Sequence, residues 1–290
     1  MITFLLFRGM VIIISAMPFL WLYPVSDVLS YLLGNIFRYR RTLVIAQLKR
    51  AFPQKAPSEI QQIARESYRN VTDILLESLK AFSMNRADFL ARYHLDNPEV
   101  AAKFYENGQK VIILAPHYAN WEWGVISLPL HFRCPVAAVY RPLKNKQIEQ
   151  ALFQLRTRFG HDIRPNSQTS LAFEAYQHTP FIMFMMPDGS PASIDKAHWV
   201  NFLGQDTAAI YGPAKHSLNN NCPLLYLDNT RIQRGFYSLH LEVLCENPQN
   251  FSPQEITTLF MERLEKKIRQ NPQDWLWTHN RWKKKRNKLD

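Results

Sequence analysis

Hydrophobic patterning divides the chain into stretches of different character. The first, MITFLLFRGMVIIISAMPFLWLYP, is apolar on every side apart from Arg8 and a few small polar residues. Apolarity all round, rather than along one stripe, suits a membrane-embedded segment or a helix buried in a core. A helix over 9–23 reaches about 22 Å against a hydrocarbon layer of roughly 30 Å. Adding the preceding residues spans that layer if Arg8 extends its charged end to the interface. No basic leading end and no A-x-A-like cleavage site is present. Residues 1–23 therefore read as a retained anchor, with a buried core helix as the alternative, and not as a removed signal peptide. Arg38, Arg40, Arg41, Lys49 and Arg50 follow at once, which places the rest of the chain on the cytoplasmic side.

The stretch PSEIQQIARESYRNVTDILLESLKAF changes the pattern: Ile60, Ile63, Tyr68, Val71, Ile74, Leu75 and Leu79 recur at helical spacing, and Ser58 with Gln61 has the form of a capping box. A long amphipathic helix is expected inside a helical segment, 24–106. Beyond it, short apolar runs at 111–115, 135–140, 181–186 and 223–228 alternate with helix-like segments at 145–159, 167–177 and 206–219, and 237–244 reads as one more strand. Such alternation predicts an α/β core over 107–250 with a mixed, largely parallel sheet flanked by helices. A closing helix follows over 251–270, with Ser252 as cap, Pro253 at its first position and Glu255 completing the box, and then an aromatic and basic tail, 271–290. No repeat or linker divides 24–290, so it reads as one domain.

Composition narrows the partners. Lys and Arg number 35 against 24 Asp and Glu, a formal charge of +11, so an anionic membrane, nucleic acid or acidic protein is attracted. Aromatics fall mostly inside apolar periodic runs rather than between basic residues on one face, which argues against nucleic acid. The 9 glycines form neither a GxGxxG nor a P-loop pattern, and Cys134, Cys222 and Cys245 form no CxxC pair, so no nucleotide, redox or metal cofactor is expected. Trp275, Trp277 and Trp282 read either as core aromatics or as an interfacial belt, and RWKKKRNK either as a solvated end or as a patch for anionic lipid.

The candidate chemistry lies at LAPHYANWEWG. Pro116 ends an apolar β-branched run, so His117 stands at the end of a strand, where open α/β sheets bind ligands. Positions five apart on a helix point about 140° away from each other, so His117 and Glu122 meet only if His117 precedes the helix and folds back over its first turn. A neutral imidazole oriented by a carboxylate is a general base.

HYANWE resembles the HX4D/E motif of the glycerolipid acyltransferase superfamily, and further blocks resemble, in order, the bacterial late acyltransferases of lipid A assembly: VYRPLKNKQIEQALFQLRTRFG, MMPDGSP, WVNFLGQDTAAIYGPAKHS and PQDWLWTHNRWK. Together they cover about residues 38–285. Gly189 after Asp188, and NFLG in place of a double aromatic, depart from the family's usual pattern. The resemblance implies His117 as general base and Glu122 as its orienting partner. It implies Arg156 and Asp188 as accessory site residues, Arg156 facing an oxyanion or phosphate, and Arg141 in a structural or phosphate-facing role. It further implies an acyl thioester on acyl carrier protein as donor, a lipid A precursor hydroxyl as acceptor, and a place at the inner membrane with anionic lipids. The rival readings are the same chemistry on a lysophospholipid or aminolipid, and a basic binding protein without activity.

Overall fold

The computed structural model describes residues 2–195 and 197–286. Two helices open the chain, α1 (Ile2–Ala16) and α2 (Phe19–Tyr31), and the second ends in a π-helical turn, Leu32–Ile36. Then come α3 (Arg41–Ala51), α4 (Pro57–Lys80), α5 (Arg86–Arg92), β1 (Tyr93–Leu95) and α6 (Glu99–Tyr105). The core continues with β2 (Val111–Leu114), α7 (Trp121–Ser127), β3 (Val136–Tyr140), α8 (Lys146–Thr157), β4 (Asp162–Pro165), α9 (Thr169–Ala175) and β5 (Ile182–Met185). A hairpin, β6 (Ala197–Phe202) and β7 (Gln205–Ile210), precedes α10 (Gly212–Asn220), β8 (Leu224–Gln233), β9 (Phe236–Cys245) and α11 (Pro253–Gln270).

Seven strands form one sheet in the order β1-β9-β8-β2-β5-β3-β4. All neighbours are parallel except β8 and β9. The fold is thus α/β with a mixed, largely parallel sheet between helices, as the alternation predicts. β2 and β5 are buried at every position, because helices cover both faces.

The first 23 residues do not form one helix. Pro18 cannot donate an N–H and drives the residue before it out of the helical region, so α1 stops at Ala16 and a second helix runs on to Tyr31. Among the described residues no helix is long and apolar enough to cross a membrane. One side of the pair packs on α4, where Ile14, Leu22, Leu76 and Leu79 form a small cluster. Ile2, Leu5, Leu6, Ile12, Ile13, Leu20 and Trp21 remain exposed.

Three local expectations change. α4 starts at Pro57, and it is Glu59 rather than Gln61 that reaches back, accepting from the Ala56 N–H at 2.8 Å. The helix expected over 206–219 is a strand in its first part. Leu203 and Gly204 both have positive φ (52° and 72°), which makes a two-residue turn and folds 205–210 back on β6. Trp275, Trp277 and Trp282 are buried core aromatics; Trp275 packs edge-on against Trp277, Trp282 and Phe202, and Trp282 stacks on Phe202. Arg281 is buried among them, donating to the Ala208 carbonyl at 2.9 Å. α11 has the expected cap, with Ser252 Oγ accepting from the Glu255 N–H. Asn287 and Lys288 of the basic run lie outside the described residues.

Candidate active site

Sheet register brings the chemistry together. β2 and β5 are parallel neighbours with Leu114 opposite Met185, so His117 and Asp188, each three residues further on, leave the sheet side by side. β3, on the far side of β5, delivers Arg141 just past Tyr140.

The loop after β2 is held from outside. Tyr118 donates its hydroxyl to the Asn271 carbonyl (2.7 Å), its own carbonyl accepts from Asn229 Nδ2 (3.2 Å), and the Ala119 N–H donates to the Asp274 carbonyl (2.9 Å). Ala119 has φ 49°, a left-handed conformation that costs a non-glycine residue about 1–2 kcal/mol. These ties keep His117 ahead of α7 instead of inside it.

His117 Nδ1 lies 2.6 Å from Asp188 Oδ1, and the His117 backbone N–H donates to Asp188 Oδ2 at 3.0 Å. The Trp275 indole N–H donates to the same oxygen at 3.1 Å. Burial acts to raise the pKa of Asp188, but the charge of His117 and these donors outweigh it and hold the carboxyl below its usual range. Burial likewise acts to lower the pKa of His117, and the charge and hydrogen bond of Asp188, with a smaller contribution from Glu122, outweigh it and raise it above the ordinary 6.5. A carboxylate surrounded by donors fixes the proton on Nδ1 and leaves the Nε2 lone pair available. Asp188 is 3% exposed and the His117 side chain 31%, so the pair is anchored inside and reachable from outside.

Glu122, in the first turn of α7, makes no hydrogen bond to His117. Its carboxylate accepts from Arg156 Nη2 at 2.9 and 3.2 Å and from the Trp121 indole at 3.3 Å. The expected partnership of His117 with Glu122 is therefore replaced by two pairs, His117–Asp188 and Glu122–Arg156. The cause is angular: from the first turn of α7 the Glu122 side chain points toward α8, which carries Arg156 in its last turn. Arg156 Nε is buried without a hydrogen-bond partner among the described residues.

His117, Glu122 and Arg156 line one cavity of about 520 Å³, within the range of small-ligand sites, with Asp188 behind His117. Val125, Ala138, Ile163, Phe184, Met185 and Pro213 make its wall largely apolar, and the exposed Arg141 also faces it. A recess of about 120 Å³ adjoins His117 and Asp188 and is lined by Trp275, Leu276 and His279. Burial lowers the pKa of His279. Clefts of about 450 and 390 Å³ lie at α2–α4 and below the β8–β9 turn, but Arg69, Arg231 and Arg234 there are ion-paired with Asp27 and Asp73. Among the described residues no group of His, Cys, Asp and Glu is arranged to hold a metal. Burial pushes the thiols of Cys134, Cys222 and Cys245 up to about 11, 12 and 11, which leaves them unreactive.

Sequence reasoning brought His117, Glu122, Arg156, Asp188 and Arg141 to one place but not in these pairs, and it missed Trp275 and His279 as site residues. The available signal was the shared motif PQDWLWTHNRWK, whose tryptophans were weighed only as core or interface.

Comparison with known families matches residues 1–284 to the bacterial lipid A biosynthesis acyltransferases. The match takes in nearly the whole chain, and the chain belongs to that family; it is an acyltransferase of lipid A biosynthesis. A search of curated proteins finds no match.

Proposed function

We propose that the chain moves a fatty acyl group from an acyl thioester on acyl carrier protein to a hydroxyl of a lipid A precursor, with His117 as general base and Asp188 as its orienting partner. The observation that carries this reading is the His117–Asp188 pair, 2.6 Å apart, standing at a largely apolar cavity. His117 Nε2 takes the proton of the acceptor hydroxyl as the oxygen attacks the thioester carbonyl, and Asp188 stabilises the imidazolium. The tetrahedral intermediate then collapses, the C–S bond breaks, and the sulfur takes the proton held by His117 and leaves as a thiol, which restores the neutral base. Arg156, kept in place by Glu122, stabilises the oxyanion, and the apolar wall takes the acyl chain. Arg141 faces an acceptor phosphate. The thioester is already activated, so base, oxyanion stabilisation and positioning suffice.

Location at the cytoplasmic face of the inner membrane is supported by the exposed apolar side of α1 and α2, which continues into Ile36, Phe37 and Tyr39 beside Arg38, Arg40 and Arg41. An apolar face edged with cations suits a helix pair lying in the interface of an anionic leaflet. α1 reaches about 22 Å, short of the roughly 30 Å needed to span. Thioester turnover by purified His117→Ala tests the chemistry: loss of about 10²–10⁴-fold is expected with an unchanged melting temperature, and near-parental turnover removes the mechanism.

A further inference from the structure

The segment that carries His117 and Glu122 hangs on a second carboxylate which the reaction above does not use. Glu77, in the last turn of α4, is fully buried. Burying a carboxylate costs several kcal/mol unless its oxygens are well satisfied. Neutral donors from three parts of the chain reach Glu77, although burial outweighs them and raises its pKa above the usual carboxyl range. Oε2 accepts from Asn120 Nδ2 (2.6 Å) and from the Tyr237 hydroxyl of β9 (2.7 Å), and Oε1 accepts from the Tyr23 hydroxyl of α2 (3.1 Å). Its main-chain carbonyl also accepts from the Trp123 indole at 3.0 Å.

Asn120 is the link to the site. It is fully buried, and its Oδ1 caps α7 by accepting from the Trp123 N–H at 3.0 Å. That bond fixes the amide orientation, so Nδ2 is the atom turned to Glu77. Asn120 stands three residues after His117 and two before Glu122, directly after the strained Ala119. The hydrogen bond from Asn120 to Glu77 therefore sets where α7 begins. With it are set the separation of the two catalytic-site side chains and their alignment with Asp188 and Arg156, which come from other elements.

We propose that Glu77 is a positioning residue for acyl transfer, acting through Asn120 to hold His117 and Glu122 in reacting geometry. The inference rests on the proposed role of His117 as base. It also makes α2 part of the site's support, because Tyr23 shares the carboxylate.

The test uses the full-length enzyme in detergent and measures kcat, KM and melting temperature for Glu77→Met, Glu77→Gln, Asn120→Ser, the Glu77→Met/Asn120→Ser double variant and His117→Ala. Methionine fills similar volume without an acceptor. Glutamine can turn its carbonyl to Asn120 and Tyr237 and donate its NH₂ to the Tyr23 oxygen. Serine still caps α7 but is too short to reach Glu77. Misplacement of reacting groups by about 1 Å costs up to about 10²-fold, so Glu77→Met is expected to lower kcat about 10- to 100-fold with KM changed by less than about two-fold. Glu77→Gln should recover most of that loss, and the double variant should be no worse than either single one, as for two residues acting through one bond. A folded Glu77→Met enzyme with parental kcat overturns the proposal, and so do losses that multiply in the double variant. If Glu77→Met does not fold, Asn120→Ser decides: parental kcat there overturns the proposal. Turnover that survives His117→Ala overturns both this inference and the reading beneath it, whereas an inactive His117→Ala beside a normal Glu77→Met overturns this inference alone.

Discussion

Replacing Asp188 with asparagine separates the two carboxylates that the sequence offers as partners for His117. Two donors, the His117 backbone N–H and the Trp275 indole N–H, converge on Asp188 Oδ2 at 3.0 and 3.1 Å. Asparagine must keep its carbonyl oxygen at that corner, because an NH₂ there would face two N–H groups. The amide nitrogen then falls at the position of Oδ1, 2.6 Å from His117 Nδ1, and donates to it. A ring that accepts at Nδ1 carries its proton on Nε2, and a protonated Nε2 cannot take a proton from the acceptor hydroxyl. Flipping the amide restores the tautomer but leaves two buried donors unmade, at about 1–3 kcal/mol each, roughly 2–6 kcal/mol in all. At 1.36 kcal/mol per tenfold, that corresponds to about 10^1.5 to 10^4.4 in rate, and a carboxylate-to-amide change in a comparable dyad costs about 10⁴.

The expected result is a folded Asp188→Asn enzyme whose kcat is down by about 10³–10⁴, while Glu122→Gln, which weakens the hold on Arg156, loses only about 10- to 100-fold. Asp188 also raises the pKa of His117, and the base works only when unprotonated. The acid limb of the kcat/KM profile should thus lie above pH 6.5 in the parent, with activity rising as pH rises through it, and should move to lower pH in Asp188→Asn. The order of the two variants decides the matter. Should Glu122→Gln be the more damaged and Asp188→Asn stay within about tenfold of the parent, the orienting role returns to Glu122 and the tautomer argument is wrong.

Trp275→Phe removes one of the donors on Asp188; a hydrogen bond to a charged group is worth about 1.5–3 kcal/mol, so kcat should fall about tenfold or more, read in the same assay. Gly235, at φ +74°, turns β8 into β9 directly beneath the Tyr23 hydroxyl, where a Cβ would collide; Gly235→Ala should lower stability by about 1–3 kcal/mol, measured by denaturant titration. The rate with acyl carrier protein should fall with added salt more steeply than the rate with an acyl-coenzyme A analogue, because a chain of charge +11 steers an acidic protein over distances that salt screens to about 8 Å. Equal slopes would leave the carrier-protein donor without electrostatic support.

The core strands were legible because β2, β3 and β5 are short apolar runs bounded by turn residues, β8 opens with such a run at 224–227, and β9 alternates buried with more exposed positions. β1 and β4 were not: each is a short edge strand, and Tyr93–Leu95 and Asp162–Pro165 gain their conformation from pairing rather than from pattern. The β6–β7 hairpin was lost because Leu203-Gly204 is not a usual turn pair, so 205–210 merged with the helix behind it. The site was legible in its members and illegible in its pairs. His117 and Glu122 are close in sequence, and a spacing rule joins them, whereas His117 and Asp188 meet only because β5 lies next to β2 with β3 and β4 placed beyond. Asp73 and Glu77 escaped for another reason. Charges one turn apart on α4 look like a solvated face, and nothing local reveals that Arg231, Arg234 and Asn120 come from far along the chain to bury them.

The separation of the two pairs has a consequence for charge. Asp188 is buried among donors and remains anionic, so together with a neutral His117 its side of the cavity carries one negative charge, which favours imidazolium. Glu122 and Arg156 neutralise each other on the other side, yet Arg156 keeps a buried N–H without a partner among the described residues. In the proposed transfer, positive charge grows on His117 and negative charge on the thioester carbonyl oxygen. Asp188 answers the first, and an arginine already fixed by Glu122 answers the second without having to reorganise. Had Glu122 been the partner of His117, Arg156 would have lost the group that fixes it, and both carboxylates would have crowded the side where negative charge is already sufficient. Two carboxylates with different neighbours let one cavity stabilise opposite charges as they separate.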